Sequence, residues 1–260
     1  MKNLKATLIL LISVVILGTG MNAFGFLGFG NSASWKEEVL LHDGRKIIVE
    51  RTTVRGGQHE PGQKSPYKEQ SLSFTMPGTG QEVTWEDKFS KDLGMANFLP
   101  MLLDVLNGAA YLVVSPMGCL SYNKWGRPNP PYVIFNYDGK AWQRIPLEDL
   151  PAEIKTPNLV FSSPDVEVES VSTRFMTAEK IKAIISGYPQ PEYKTILRES
   201  LDEKGIACTE MIRVDDGWVG IEWFTSQPTY DQCLSICKIK KLTSEQCPCA
   251  RIFNKNNKEK

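Results

Sequence analysis

The 260-residue chain predicts a mainly β fold, α+β in class, and three observations carry that reading. Asp-Gly dipeptides beginning at 43, 138 and 216 each stand between runs rich in Val, Ile, Phe, Tyr and Trp. Asn107-Gly108 stands between two more such runs. Glycine accepts the positive φ of a tight hairpin turn, so each dipeptide marks a pair of antiparallel neighbours. Helical patterning is sparse by comparison, with one well-capped segment whose apolar residues share a face. The expected architecture is therefore a set of antiparallel hairpins forming a sandwich or a propeller-like meander, with one or two short helices, preceded by an N-terminal apolar helix. The Asp-Gly turns are 95 and 78 residues apart, which is no repeat period.

The N-terminal helix is expected because Met1-Lys2-Asn3-Leu4-Lys5 leads into a stretch without charge from Ala6 to Trp35. Its densest part, residues 8–17, is almost wholly aliphatic. It reads as a signal cleaved after Gly18-Thr19-Gly20, or as an uncleaved anchor continuing to Gly30, since a span needs about 20 mostly apolar residues. Both readings leave Lys2 and Lys5 inside and carry residues 36 onward outside.

The hairpins follow in order. Residues 38–41 and 46–54 flank His42-Asp43-Gly44-Arg45, and 72–75 and 82–85 flank Pro77-Gly78-Thr79-Gly80. Residues 101–106 and 109–114 flank Asn107-Gly108, where a helix over 101–106 is the rival. Residues 132–137 pair with 140–145, and 213–215 with 218–224. Asn158 to Ser163 reads as one further strand. Thr177 caps a helix over 178–185 that places Ile181, Ile184 and Ile185 on one face, and a second helix is expected from about 231 to 240. The organisation that results is a leader or anchor with linker at 1–35 and a β-rich domain at 36–164. An α+β part at 165–253, separate or continuous with it, and a solvated tail at 254–260 complete the chain.

Charge is balanced at 30 basic and 30 acidic residues, and beyond Lys2 and Lys5 the body carries 28 against 30. Nucleic acid, which requires a basic excess, is excluded as a partner. No Gly-x-Ser-x-Gly, P-loop or Gly-x-Gly-x-x-Gly sequence occurs, so no cofactor is expected.

The six cysteines are Cys119, Cys208, Cys233, Cys237, Cys247 and Cys249. An even number in an exported chain favours disulfides. On a helix over 231–240, Cys233 and Cys237 share a face, being four apart. In an extended Cys247-Pro248-Cys249 the two sulfurs also share one, being two apart. Two bridges crossing from helix to tail are expected, with either partner for each cysteine. Cys119 and Cys208 then pair by elimination. A tetrathiolate zinc site is the rival reading, although the spacing is not that of a common zinc module.

The best candidate site is the segment 115–131, with Tyr122, Lys124, Trp125 and Arg127 as binding residues. Flat aromatic faces beside amide and cationic donors suit glycans, peptides or a protein partner. The competing reading is a structural crossover, with Trp125 plugging the core and Cys119 stapled. His42 lies in a hairpin turn, and His59-Glu60 lies in a Gly-rich loop without a third catalytic member. The acidic pairs Glu148-Asp149 and Asp215-Asp216 fit solvated turns.

These readings point to a non-enzymatic cell-envelope protein, anchored in the inner membrane facing the periplasm or secreted to the periplasm or exterior. It would contact the membrane through its N-terminal segment and bind an envelope protein or a glycan. The alternatives are an exported hydrolase acting on an envelope polymer, with its site near 115–131, and a zinc-stabilised extracytoplasmic module.

Overall fold

The alternation of buried and exposed residues that the hairpin signals imply is laid out in a computed structural model, which describes residues 31–256 except 58, 60, 203–206 and 216. The apolar segment 1–30, Glu60 and residues 257–260 of the tail lie outside the described residues. The structure is mainly β, with antiparallel sheets and a few short helices.

β1 (Ser32–Leu40), β2 (Lys46–Arg55), β3 (Tyr67–Thr75) and β4 (Glu82–Asp87) form one sheet in the order β4-β3-β2-β1, and the short β9 (Phe175–Met176) adds parallel to β1. β5 (Phe98–Leu106), β6 (Ala109–Pro116), β7 (Val133–Tyr137) and β8 (Trp142–Ile145) form the second sheet in chain order. Residues 101–106 are strand, so the helix considered there does not form. Asn107 and Gly108 have φ of 52° and 78°, the left-handed pair that a two-residue hairpin of this twist demands. Pro100 has no N–H to donate and sits at a register shift on edge strand β5, where that loss is tolerated.

Side chains alternate across each strand, and the two inner faces meet in one core. Val39, Val49, Leu72, Phe74, Val83 and Trp85 of the first sheet pack with Leu103, Val105, Leu112, Val114 and Val133 of the second. Each fully buried aliphatic or aromatic side chain contributes about 1.5–3 kcal/mol. The outer face of the first sheet is solvated, with a Lys36–Glu50 ion pair at 2.7 Å and Ile48 exposed. The outer face of the second sheet is apolar, with Met101, Leu102, Val113 and Ile134 covered by Leu150, Ile154, Phe161 and Ile196. Within that cover Tyr132 donates to the Glu192 carbonyl at 2.8 Å, and burial pushes its phenol up to about 12.

The run 158–163 is not a strand, which corrects the sequence expectation. Its composition is strand-like, but its backbone is bonded across elements instead of along a ladder. The Leu159 N–H donates to the Met101 carbonyl at 3.2 Å, and the Val160 N–H donates to Glu37 Oε2 at 3.1 Å. Val160 returns its carbonyl to Arg51 Nη1 at 2.5 Å. Arg51 and Glu37 are themselves an ion pair at 2.9 Å, with side chains 2% and 0% exposed, and Trp35 Nε1 donates to the same carboxylate at 2.7 Å.

α1 (Gly118–Lys124) follows β6, α2 (Pro164–Glu169) follows the 158–163 run, and α3 (Ala178–Ser186) begins at Thr177, whose hydroxyl accepts from the Lys180 N–H at 3.3 Å. Ile181 and Ile185 of α3 pack with Trp35, Val160, Val168 and Met176. β10 (Met211–Val214) and β11 (Gly217–Gly220) form a two-stranded ribbon. The second of these strands ends at Gly220, and α4 (Glu222–Thr225) takes over where sequence continued the strand to Phe224. α5 (Tyr230–Ile239) and α6 (Cys249–Asn256) complete the chain, so Cys249 opens a helix where an extended segment was expected.

Candidate functional site

All six cysteines are paired: Cys119–Cys208, Cys233–Cys249 and Cys237–Cys247. The last two bridges cross from α5 to the C-terminal segment and form the core of this small helical module, with Phe224 and Val219 packed around them. Cys237, Cys247 and Cys249 bring their sulfurs within 4.8 Å of one another, the cluster from which a zinc site was considered. In the oxidised pairing none of these sulfurs is a thiolate, the form zinc requires. Three disulfides indicate an oxidising, non-cytoplasmic location. Among the described residues, no helix is long and apolar enough to cross a membrane.

The structure brings Tyr122 and Arg127 together and sets Lys124 and Trp125 apart from them in surroundings of their own. Tyr122 is buried at the base of α1. Arg127 lies over its ring with the guanidinium carbon 5.0 Å from the centroid, and donates to the Cys208 carbonyl at 3.0 Å and to Asn123 Oδ1 at 3.1 Å. Asn123 Oδ1 also accepts from the Met211 N–H at 2.8 Å. Together with the Cys119–Cys208 bridge, these contacts bolt the C-terminal module to α1. Lys124 Nζ reaches Asp92 Oδ1 at 2.9 Å and Ser90 Oγ at 2.5 Å. Burial works against the Asp92 carboxylate, but hydrogen bonds from Ser90 and Lys124 outweigh it and hold its pKa below the ordinary value.

Trp125 has a different setting. It is partly buried against the core and opens onto a cleft of about 800 Å³. Three further hollows measure about 380, 490 and 220 Å³. The cleft lies where the sandwich stays open. β4 is the last strand of its sheet and β8 the last of the other, and no ladder joins them. Trp85, Phe98, Trp125, Phe135 and Trp142 line it, together with Thr84, Glu86, Asp87, Lys88 and Asn97. Four of the rings form one cluster, with centroids 4.6 Å apart for Phe98 and Trp125, 6.3 Å for Trp125 and Phe135, and 6.1 Å for Trp85 and Phe135, while Trp142 packs on Tyr137 at 5.4 Å. Trp125 Nε1 donates to Asn97 Oδ1 at 3.2 Å, and the Arg144 guanidinium sits 5.5 Å from the Trp125 ring. Trp142 spans the gap, donating through Nε1 to the Thr84 carbonyl of β4 at 2.9 Å.

Sequence reasoning found Trp125 and missed Trp85, Phe135 and Trp142. Each falls inside a predicted strand, where an aromatic reads as core. The available signal was their common inward parity on β4, β7 and β8. His42, read as a turn residue, is anchored on the second sheet with Nδ1 2.7 Å from Asp104 Oδ1. His59 is exposed, with Nδ1 3.2 Å from Ser65 Oγ, and does not line the cleft. No family model, no curated protein and no solved structure matches the chain.

Proposed function

We propose that the chain is an exported or membrane-anchored cell-envelope protein that works as a binding module, with the cleft between β4 and β8 as its ligand site. The N-terminal segment would serve as signal or inner-membrane anchor, leaving the disulfide-bonded body in the periplasm or outside the cell. The observation that carries this reading is the aromatic cleft. Five rings and five polar residues converge on one open groove, and a binding site of this size is typically built in that way, from apolar surface with a few polar groups.

A glycosidase site of the common two-carboxylate kind would need two acids facing one another. Glu86 and Asp87 line the cleft, but as strand neighbours they point to opposite faces. The Asp87 carboxylate is occupied by the N–H groups of Asn97 and Phe98 at 2.8 and 2.7 Å and by the Asn97 and Gln70 amides at 2.8 and 3.1 Å. Glu86 is exposed and pairs with Lys88 at 3.1 Å. Binding is thus favoured over catalysis.

The test is sedimentation of the purified body, residues 31–260, with the isolated envelope of the cell that makes it. Wild type co-sediments, and Trp125→Ala with Trp142→Ala does not while retaining its circular dichroism. Equal sedimentation of both proteins, or of neither, overturns the proposal.

A further inference from the structure

The same cleft also points to a ligand class. We infer that its occupant is a neutral, linear glycan and not an added peptide strand, an inference that rests on the cleft being the binding site. Sheet edges capture extended peptides by offering unpaired N–H and C=O groups to a new ladder. On β4 that edge is engaged at its middle, where the Thr84 carbonyl accepts Trp142 Nε1 at 2.9 Å. A strand adding there would have to break this bond and expel an indole that packs 5.4 Å from Tyr137. A ligand held by ring contacts leaves it intact.

Charge on the rim argues the same way. Glu86 is paired with Lys88 at 3.1 Å, Asp87 is held by four neutral N–H donors from Gln70, Asn97 and Phe98, and the Arg144 guanidinium on the Trp125 ring supplies the second positive charge. Neither sign predominates, so a charged ligand finds no complement. What the cleft does offer is apolar aromatic surface beside the Asn97 amide, the Lys88 ammonium and the Arg144 guanidinium. A pyranose ring has the matching chemistry, with a C–H face for aromatic surface and equatorial hydroxyls for a polar rim. At about 800 Å³ and open along its length, the cleft has room for more than one such ring.

The experiment follows the indole N–H resonances of the ¹⁵N-labelled body, residues 31–260, against a solubilised envelope fraction in three forms: untreated, protease-digested and periodate-oxidised. Hexasaccharides of β-1,4-linked glucose and of β-1,4-linked mannose, whose rings carry the C2–C3 diol that periodate cleaves, are titrated in parallel. The expected result is that the Trp125 and Trp142 resonances shift with the untreated and digested fractions and stay put after periodate, which destroys vicinal diols. At least one hexasaccharide reproduces the shift, and Trp125→Ala weakens it at least about tenfold. Throughout, the Trp142 indole proton stays protected from exchange, as its bond to Thr84 requires. If shifts are abolished by protease, survive periodate, or come with loss of that protection, the glycan assignment falls while the cleft remains the binding site. If the untreated fraction moves neither resonance, both fall.

Discussion

The side-chain amide of Asn158 pairs with both polar atoms of the Leu103 backbone, Oδ1 accepting its N–H at 2.9 Å and Nδ2 donating to its C=O at 2.8 Å. The same Nδ2 donates to the Leu40 carbonyl at 2.9 Å. One side chain thereby occupies the free edge of β5 and ties it to β1, as a strand would. This edge of the sandwich is closed, while the opposite edge, between β4 and β8, is crossed by Trp142 and otherwise left as the cleft. The asymmetry is what leaves the cleft open between β4 and β8.

Asn158 is buried, so replacing it by Leu orphans the Leu103 N–H and the Leu103 and Leu40 carbonyls. A buried polar group left without a partner costs about 1–3 kcal/mol, and some relaxation among three neighbours is expected, so Asn158→Leu should lose about 3 kcal/mol. Asn158→Asp keeps the acceptor but sets an anionic oxygen against two carbonyls. It should be at least as damaging at neutral pH and should recover in acid as the carboxyl gains a donor. Urea midpoints of the two variants at neutral and acidic pH decide this, and wild-type midpoints for both would dismiss Asn158 as an edge cap.

The hairpins were legible in sequence because their signals are local. Asp138-Gly139 carries its own turn chemistry, with Asp138 Oδ1 accepting the N–H groups of Lys140 and Ala141 at 2.9 and 3.0 Å. That Cys233 and Cys237 bridge to the tail was legible for the same reason, since they lie one helical turn apart, but which tail cysteine each takes was not, because Cys249 opens a helix instead of continuing an extended segment. The run 158–163 was not, because its composition is that of a strand and its bonding partners, Glu37, Arg51 and Met101, are distant in sequence. The cleft was half legible: Trp125 stood out in a Pro/Gly-rich segment. The approach of β4 to β8 depends on how two sheets stack, and side-chain alternation along a strand carries no information about that.

Glu37 and Arg51 form an ion pair sealed from solvent, and such a pair is informative when broken from one side. Arg51→Met leaves a buried carboxylate with only Trp35 Nε1 and the Val160 N–H as donors, and should cost about 3–5 kcal/mol. Adding Glu37→Leu removes the stranded charge. The double variant should therefore be more stable than Arg51→Met alone, with a coupling of about 2 kcal/mol in a double-mutant cycle from chemical denaturation. Additive losses would show that the two residues act independently of each other.

Asp165, at the start of α2, links that helix to the first sheet and makes the fold's response to acid predictable. Its carboxylate accepts Arg55 Nε at 2.6 Å and Arg55 Nη2 at 2.8 Å, together with a short bond from the Tyr67 hydroxyl. Burial alone would raise the carboxyl, but the hydrogen bonds from Arg55 and Tyr67 prevail and its pKa lies below the ordinary 3.8. Tyr67 moves the other way: burial first, then its bond to Asp165, raises the phenol well above its usual 10, so it remains a donor at neutral pH. A carboxyl whose folded pKa is depressed binds its proton more readily in the unfolded chain. Its stabilisation is complete above the unfolded value, and it is lost as pH falls through that value and then through the folded one. Wild type should therefore lose stability from about pH 5 downward, and Asp165→Asn should show a shallower slope in that window. At neutral pH the variant should already be less stable by about 2 kcal/mol, since Arg55 loses its charged acceptor. Urea midpoints measured across this range for both proteins are the check, and parallel curves would mean that Asp165 has no part in the acid response.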